Sequence, residues 1–175
     1  MERSHYVEAL ERTQILRKLA AFDPHVVGTP PLGLDLPTSD IDVICFAPDA
    51  DAFTCAVWSA FGMCPEFRMW QKSGSDRPVV ANFADDNWTI EIFGQASPIS
   101  EQCGWRHFLV EQRLLAFGGD TFRNAVMNRR KNGMKTEPAC AAVLALDGDP
   151  YQALLSLECC SDIELTALLR DRGFS

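Results

Sequence analysis

Two carboxylates one residue apart, Asp40 and Asp42, open the strand-forming run Ile41-Asp42-Val43-Ile44-Cys45-Phe46. Alternate side chains on a strand point to the same face. The two acids therefore share one side, and Ile41 and Val43 take the other. Like charges this close raise each other's proton affinity unless a cation intervenes. Magnesium or manganese resolves that conflict, because such ions take carboxylate oxygens and keep waters and substrate phosphates as further ligands. A third acid, Glu91, stands between Ile90 and Ile92 in Trp88-Thr89-Ile90-Glu91-Ile92-Phe93. A carboxylate in so apolar a run needs solvent or a partner. Placed beside the first strand, Glu91 completes a three-acid cluster of catalytic and metal-binding type, suited to phosphoryl or nucleotidyl transfer. The plainer reading makes Asp40 a turn cap and Asp42 a rim carboxylate, since Asp-x-Asp alone is a common pattern.

The elements that must position these acids are legible in outline. Residues 5–22 read as a helix with a broken apolar stripe, ended by Asp23-Pro24. Val26-Val27 is a short strand closing at Gly28. After the strand that begins at Asp40, Pro48-Asp49 lead into a helix over 51–61. Strands follow over 66–71, 78–83 and 88–93, with turns at 72–76 and at Asp85-Asp86-Asn87. From Glu101 the pattern is helical, with helices expected over 101–117, 121–131, 137–146, 150–157 and 161–171. The expected fold class is α/β, in the α+β sense: a mixed sheet flanked by helices, followed by a C-terminal helical region. The expected organisation is a sheet domain over 1–97 and a helical region over 98–175 packed on it as one compact unit.

The chain has 175 residues, 47% of them hydrophobic, enough for one substantial core. No apolar run approaches the ~20 residues of a membrane span, and Met1-Glu2-Arg3-Ser4-His5 lacks the apolar stretch of a signal peptide. The cytoplasm is the expected compartment, and no membrane partner is expected. Seven cysteines, an odd number without C-x-x-C spacing, support neither a disulfide framework nor a zinc site; buried small apolar side chains are the expectation. The formal charge of −8 gives no net field for nucleic acid, so no extended nucleic-acid surface is expected. One basic island runs from Asp120 to Glu137, with Arg123, Arg129, Arg130, Lys131 and Lys135. It reads either as a phosphate-facing surface or as the solvated side of a helix.

The stretch from Gly28-Thr29 through Gly33 and Ser39 to Asp40-Ile41-Asp42 resembles the signature of the DNA polymerase beta-like nucleotidyltransferase superfamily. That signature is a glycine and hydroxyl residue, a second glycine, and an acid-x-acid strand preceded by serine. The resemblance implies that Asp40, Asp42 and Glu91 hold metal, that a nucleoside triphosphate is the co-substrate, and that the third acid helps activate the acceptor hydroxyl. It assigns Gly28, Thr29 and Ser39 to nucleotide binding. Thr29 stands for the usual serine and Leu32 for a frequent arginine. Pro30 and Pro31 remove two backbone donors that would otherwise grip phosphate. A closer resemblance spans nearly the whole chain, to a bacterial domain-of-unknown-function family (DUF4269-like) in the same superfamily. It rests on residues 28–42, Glu91-Ile92-Phe93-Gly94-Gln95, Trp105-Arg106-His107 with Glu111, Gly133-Met134-Lys135-Thr136-Glu137-Pro138-Ala139, and Gly148-Asp149-Pro150-Tyr151.

Other residues carry double readings. His107 and Glu111 share a helix face at i,i+4, as a structural or a catalytic pair. Arg106 and Lys135 are candidates for phosphate contact, and Lys135 equally reads as a solvated loop residue. Thr136 is the expected N-cap of the helix that follows, with Pro138 in its first turn. Tyr151 is expected to anchor between layers. Two functions remain in view. One is a metal-dependent nucleotidyltransferase acting on a hydroxyl of a small molecule or protein, consistent with all three acids being present. The other is a noncatalytic nucleotide-binding or protein-interaction module on the same fold, consistent with Leu32 and the double proline.

Overall fold

Strands β1 (His25–Val27), β2 (Ile41–Phe46), β3 (Arg68–Gln71), β4 (Val79–Asp85) and β5 (Trp88–Gln95) form one mixed sheet in the order β1-β2-β5-β4-β3. The computed structural model describes residues 3–73 and 76–174; of the expected turn over 72–76, Gly74 and Ser75 lie outside them. Only β2 and β5 run parallel; the other pairings are antiparallel. A parallel pair requires a crossover, and here α4 (Ala50–Phe61), β3 and β4 lie between the two strands in sequence. Asp86 and Asn87 adopt φ values of 44° and 64° and turn β4 tightly into β5. Two successive residues at positive φ are what a two-residue hairpin needs to match strand twist.

The chain divides into two units. One comprises Met1–Pro31 and Pro37–Trp105, the other Leu32–Leu36 and Arg106–Ser175. The core of the first is built on alternation. Ile41, Val43 and Cys45 of β2, Ile90 and Ile92 of β5, and Val79, Ala81 and Phe83 of β4 cluster with Phe53, Val57 and Phe61 of α4. Ala9 of α1 (Tyr6–Thr13), Ile15 of α2 (Ile15–Lys18) and Leu19 complete it. The expected single helix over 5–22 is broken at Gln14, whose φ of 56° ends α1, and a 3-10 turn covers Ala20–Phe22. The side chain of Asp49 accepts from the backbone N–H groups of Asp51 and Ala52 and caps α4. Gly94 sits where a Cβ would come within 2.2 Å of the Phe53 ring, so the sheet and α4 meet through bare backbone.

In the second unit, α5 spans Cys103–Lys131, with its first three residues in the sheet unit, and is interrupted at Gly119 (φ 57°, ψ −157°). That break falls between the two helices expected over 101–117 and 121–131. Helices α6 (Thr136–Val143), α7 (Pro150–Ser156) and α8 (Asp162–Asp171) follow. The short α3 (Thr29–Leu32) precedes β2 and ends in this unit's first segment. Asp149 and Ser161 cap α7 and α8, and the Glu164 carboxylate accepts in return from the Ser161 backbone N–H.

Three local expectations need correction. The residue before α6 is Lys135, not Thr136, and it makes no side-chain cap bond; the Thr136 hydroxyl is occupied by Arg130 instead. Tyr151 is exposed rather than anchored between layers. Of the seven cysteines only Cys45 and Cys140 are buried; Cys55, Cys103 and Cys159 are exposed. Burial pushes the Cys45 thiol up to about 12, with Asp23 adding to the effect, so it behaves as an apolar group.

Candidate functional site

Because β2 and β5 are parallel and in register, Asp42 lies opposite Glu91. Directly opposed residues share a face. Here that face is opposite to the one bearing Ile41, Val43, Ile90 and Ile92 in the core. Both carboxylates are half-buried. The row continues across the sheet, with Val27 opposite Asp42 on β1, Asn82 opposite Glu91 on β4, and Arg68 opposite Asn82 on β3. Asp40 has the same parity as Asp42 but precedes the first paired residue of β2 and is exposed.

Gly28 follows Val27 with a φ of +77°, a conformation that favours glycine. A Cβ built there would lie 2.3 Å from Asp42 Oδ2. The carboxylate thus rests against bare backbone, and any side chain at position 28 would displace it. Thr29 then opens α3, with Pro30 and Pro31 inside that single turn. Ser39 offers its carbonyl to the Arg3 guanidinium, which also lies 3.0 Å from the centroid of a Trp88 ring. The N-terminal arm thereby holds the chain one residue before Asp40.

Among the described residues, no three His, Cys, Asp or Glu side chains are gathered into a group that could hold a metal ion. Two do stand together, Asp42 and Glu91. Magnesium is commonly held by one or two carboxylates, with phosphates and waters filling the other positions. The donor set fits a hard cation of that kind, and the bare backbone of Gly28 leaves the Asp42 carboxylate its space.

The helical unit presents its candidates differently. Arg106 forms a forked ion pair with Glu158, its Nε 2.9 and 3.1 Å from the two carboxylate oxygens. The bond holds the Glu158 carboxyl below its ordinary range. His107 and Glu111 do not pair as a structural or catalytic couple. His107 Nε2 donates to the Tyr151 carbonyl at 3.0 Å, whereas Glu111 is buried, and its Oε1 has no hydrogen-bond partner. The one-turn spacing brings the two side chains to the same helix side, but α7 supplies the acceptor that His107 uses. Burial first, then the charge of Glu137, raises the Glu111 carboxyl to about 8, against an opposing pull from Arg130. Lys135 is exposed.

Arginines 123 and 130 belong to the basic island, and their use could not be read from its charge. Arg123 Nη1 donates to the carbonyls of Leu32 and Gly33, the latter at 3.1 Å. Arg130 is 9% exposed; its Nε donates to the Leu34 carbonyl at 2.9 Å and its Nη1 to Thr136 Oγ1. Both guanidiniums are therefore turned to backbone rather than wholly to solvent. The only signal available in sequence was their i,i+7 spacing, which puts them on one side of a helix.

Residues 8–157 match the model of a family described as Domain of unknown function (DUF4269). No curated protein matches. Among solved structures, the chain is similar to the Cid1 poly(U) polymerase with MgGTP bound, at a TM-score of 0.59 and 12% identity over 86% of this chain and 47% of that one. It is similar also to the GLD-2/RNP-8 complex, at a TM-score of 0.52 and 15% identity over 88% and 59%. A cytoplasmic RNA terminal U-transferase matches at a TM-score of 0.52 and 12% identity over 85% and 43%. The chain spans about half the length of these structures. At such identities the likeness shows the fold alone, a nucleotidyltransferase-like one.

Proposed function

The chain belongs to the DUF4269 family and has a nucleotidyltransferase fold, and from that premise we propose a metal-dependent nucleotidyltransferase that moves a nucleoside monophosphate from a triphosphate to a hydroxyl. The observation that carries this reading is the register pairing of Asp42 with Glu91, with Asp42 seated against Gly28. Asp42 and Asp40 would hold magnesium or manganese, with Glu91 adjoining. When bound, the metal supplies Lewis-acid stabilisation of charge on the phosphoryl oxygens. Gly28 offers a bare backbone approach to phosphate, and Thr29 and Ser39 offer hydroxyls. Glu91 takes the proton from the acceptor hydroxyl as its oxygen bonds to the α-phosphorus. The bond from that phosphorus to the leaving oxygen breaks, and pyrophosphate departs.

Cid1 is an RNA terminal uridylyl transferase. This chain carries a formal charge of −8, which disfavours a long polyanionic acceptor and favours a small-molecule or protein hydroxyl. Calorimetric titration with each of the four magnesium triphosphates, against the matching monophosphates, tests the reading. The triphosphate is expected to bind more tightly. Equal wild-type affinities for triphosphate and monophosphate would overturn phosphate recognition.

A noncatalytic nucleotide-binding module is the second reading. It is favoured by one observation, that the exposed Asp40 does not complete a gathered three-acid group. Pyrophosphate release separates the two readings, since the module binds triphosphate without turnover.

A further inference from the structure

Among the described residues, β3 is the last strand of the sheet, paired with β4 on one side only. Residues of an antiparallel strand turn their backbone N–H and C=O groups alternately to one side and the other. Lys72 N–H donates to the Pro78 carbonyl, and Ala84 N–H to the Pro65 carbonyl, which sets the phase of this ladder. Arg68 and Trp70 therefore turn their backbone groups to β4, and Met69 and Gln71 turn theirs to the open edge. The Phe67 carbonyl opposes the Arg68 N–H and faces outward too, while the Phe67 N–H is taken by the Cys64 carbonyl at 3.3 Å. Large apolar side chains stand beside this edge in solvent. Trp70 is 40% exposed, and Trp58 of α4, its ring centroid 5.6 Å from that of Phe67, is 60% exposed.

We propose that β3 pairs antiparallel with β3 of a second copy of this chain, about a two-fold axis at Met69, joining two sheets into one. Main-chain bonds of this kind give strand addition its affinity, and side chains set its register. The axis must fall on a residue, because an outward-facing residue needs an outward-facing counterpart. At Trp70 it would set Arg68 opposite Lys72 of the second copy, and like charges directly opposite repel. At Gln71 it would engage only the last residue of the strand. At Met69 the backbone groups of Met69 exchange bonds with those of its own counterpart, and Gln71 N–H meets the Phe67 carbonyl of the second copy. Arg68 then faces Trp70 of the second copy, a cation over an aromatic ring. Lys72, whose ammonium lies 4.7 Å from the centroid of the Phe93 ring, comes level with Glu66 of the second copy. Charges on an edge strand ordinarily turn other strands away. In this register both find favourable counterparts, so the edge is selective for its own sequence. The contact is the same patch on both copies and closes at the dimer, and it lies wholly within the sheet unit.

Sedimentation velocity over micromolar to millimolar chain concentrations tests the proposal. The wild type is expected at twice the 19.5 kDa of one chain. Met69→Pro removes the outward donor and leaves the bonds to β4 in place, since proline is tolerated on an edge strand; it is expected to give a monomer. Glu66→Lys and Lys72→Glu keep the backbone intact and are readable even where the proline variant fails to fold. Each alone sets like charges level with one another at two symmetric places and is expected to weaken the dimer by about tenfold. The two together restore opposite charges and should return the wild-type dissociation constant. A monomeric wild type overturns the proposal and leaves the edge to a strand of another protein. A folded Met69→Pro chain that remains a dimer overturns it as well, placing the contact elsewhere. Single charge reversals without effect, or a double reversal without rescue, overturn the register about Met69.

Discussion

Asp42 of β2 and Glu91 of β5 stand opposite one another in a parallel register, half-buried on the sheet face away from the Ile41, Val43, Ile90 and Ile92 core. On the proposed reading Asp42 holds metal and Glu91 takes the acceptor's proton. Glu91→Gln keeps size and loses charge. Turnover, measured by pyrophosphate release, is expected to fall by about 100-fold or more. Triphosphate affinity should change far less, because the lost interaction belongs to the transition state. In a binding module the same change would leave binding and stability nearly untouched.

The two aspartates should not be equivalent. Asp42 is paired in the sheet and seated against Gly28, whereas Asp40 is exposed before the strand begins. Magnesium or manganese bound to the native state raises the melting temperature by mass action. Asp42→Asn is expected to abolish that rise, and Asp40→Asn to reduce it. Scanning calorimetry with and without metal measures both; a rise that survives Asp42→Asn would remove Asp42 from the metal site.

Gly28→Ala combines two penalties, a Cβ at φ +77° and a 2.3 Å approach to Asp42 Oδ2. A cost of about 1–3 kcal/mol in stability is expected from the backbone alone, read by urea denaturation. The displaced carboxylate should also weaken the metal-dependent rise in melting temperature. A fully stable variant with unaltered metal response would show that Asp42 does not depend on the bare backbone.

Glu111 makes stability depend on pH. Its carboxyl rises from an ordinary 4.5 to about 8 in the folded chain, chiefly by burial, with Glu137 and Arg130 as the charged neighbours. Between those values the folded chain holds a proton that the unfolded chain has released. This contribution to stability is complete below about 4.5, declines as pH rises, and is lost above about 8. Glu111→Gln removes the ionisation and should flatten that slope. The variant is expected to be more stable than wild type at pH 8, by an amount of order a few kcal/mol, and to lose this advantage towards pH 5. Denaturation curves across that range check it; parallel wild-type and variant slopes would count against a buried, raised Glu111.

Local order determined much of this protein. Alternation of Ile41, Asp42, Val43 and of Ile90, Glu91, Ile92 set acids and core on opposite faces, because strand period is a property of neighbouring residues. The helices expected over 101–117 and 121–131 left a gap where α5 breaks at Gly119, and Asp86-Asn87 marked the hairpin, because both places need backbone conformations that few residues accept. The signature from Gly28 to Asp42 identified the fold for the same reason, being a contiguous pattern. Tertiary structure decided what lay between distant segments. It brought Glu91 into register with Asp42, turned His107 to the Tyr151 carbonyl, buried Glu111, and took Arg106 to Glu158. It also turned Arg123 and Arg130 from an apparent ligand surface to the carbonyls of Leu32, Gly33 and Leu34. A charged side chain's type states what it can bond. Which of many acceptors it bonds depends on which backbone groups the fold leaves without a partner, and that is a property of the packed chain.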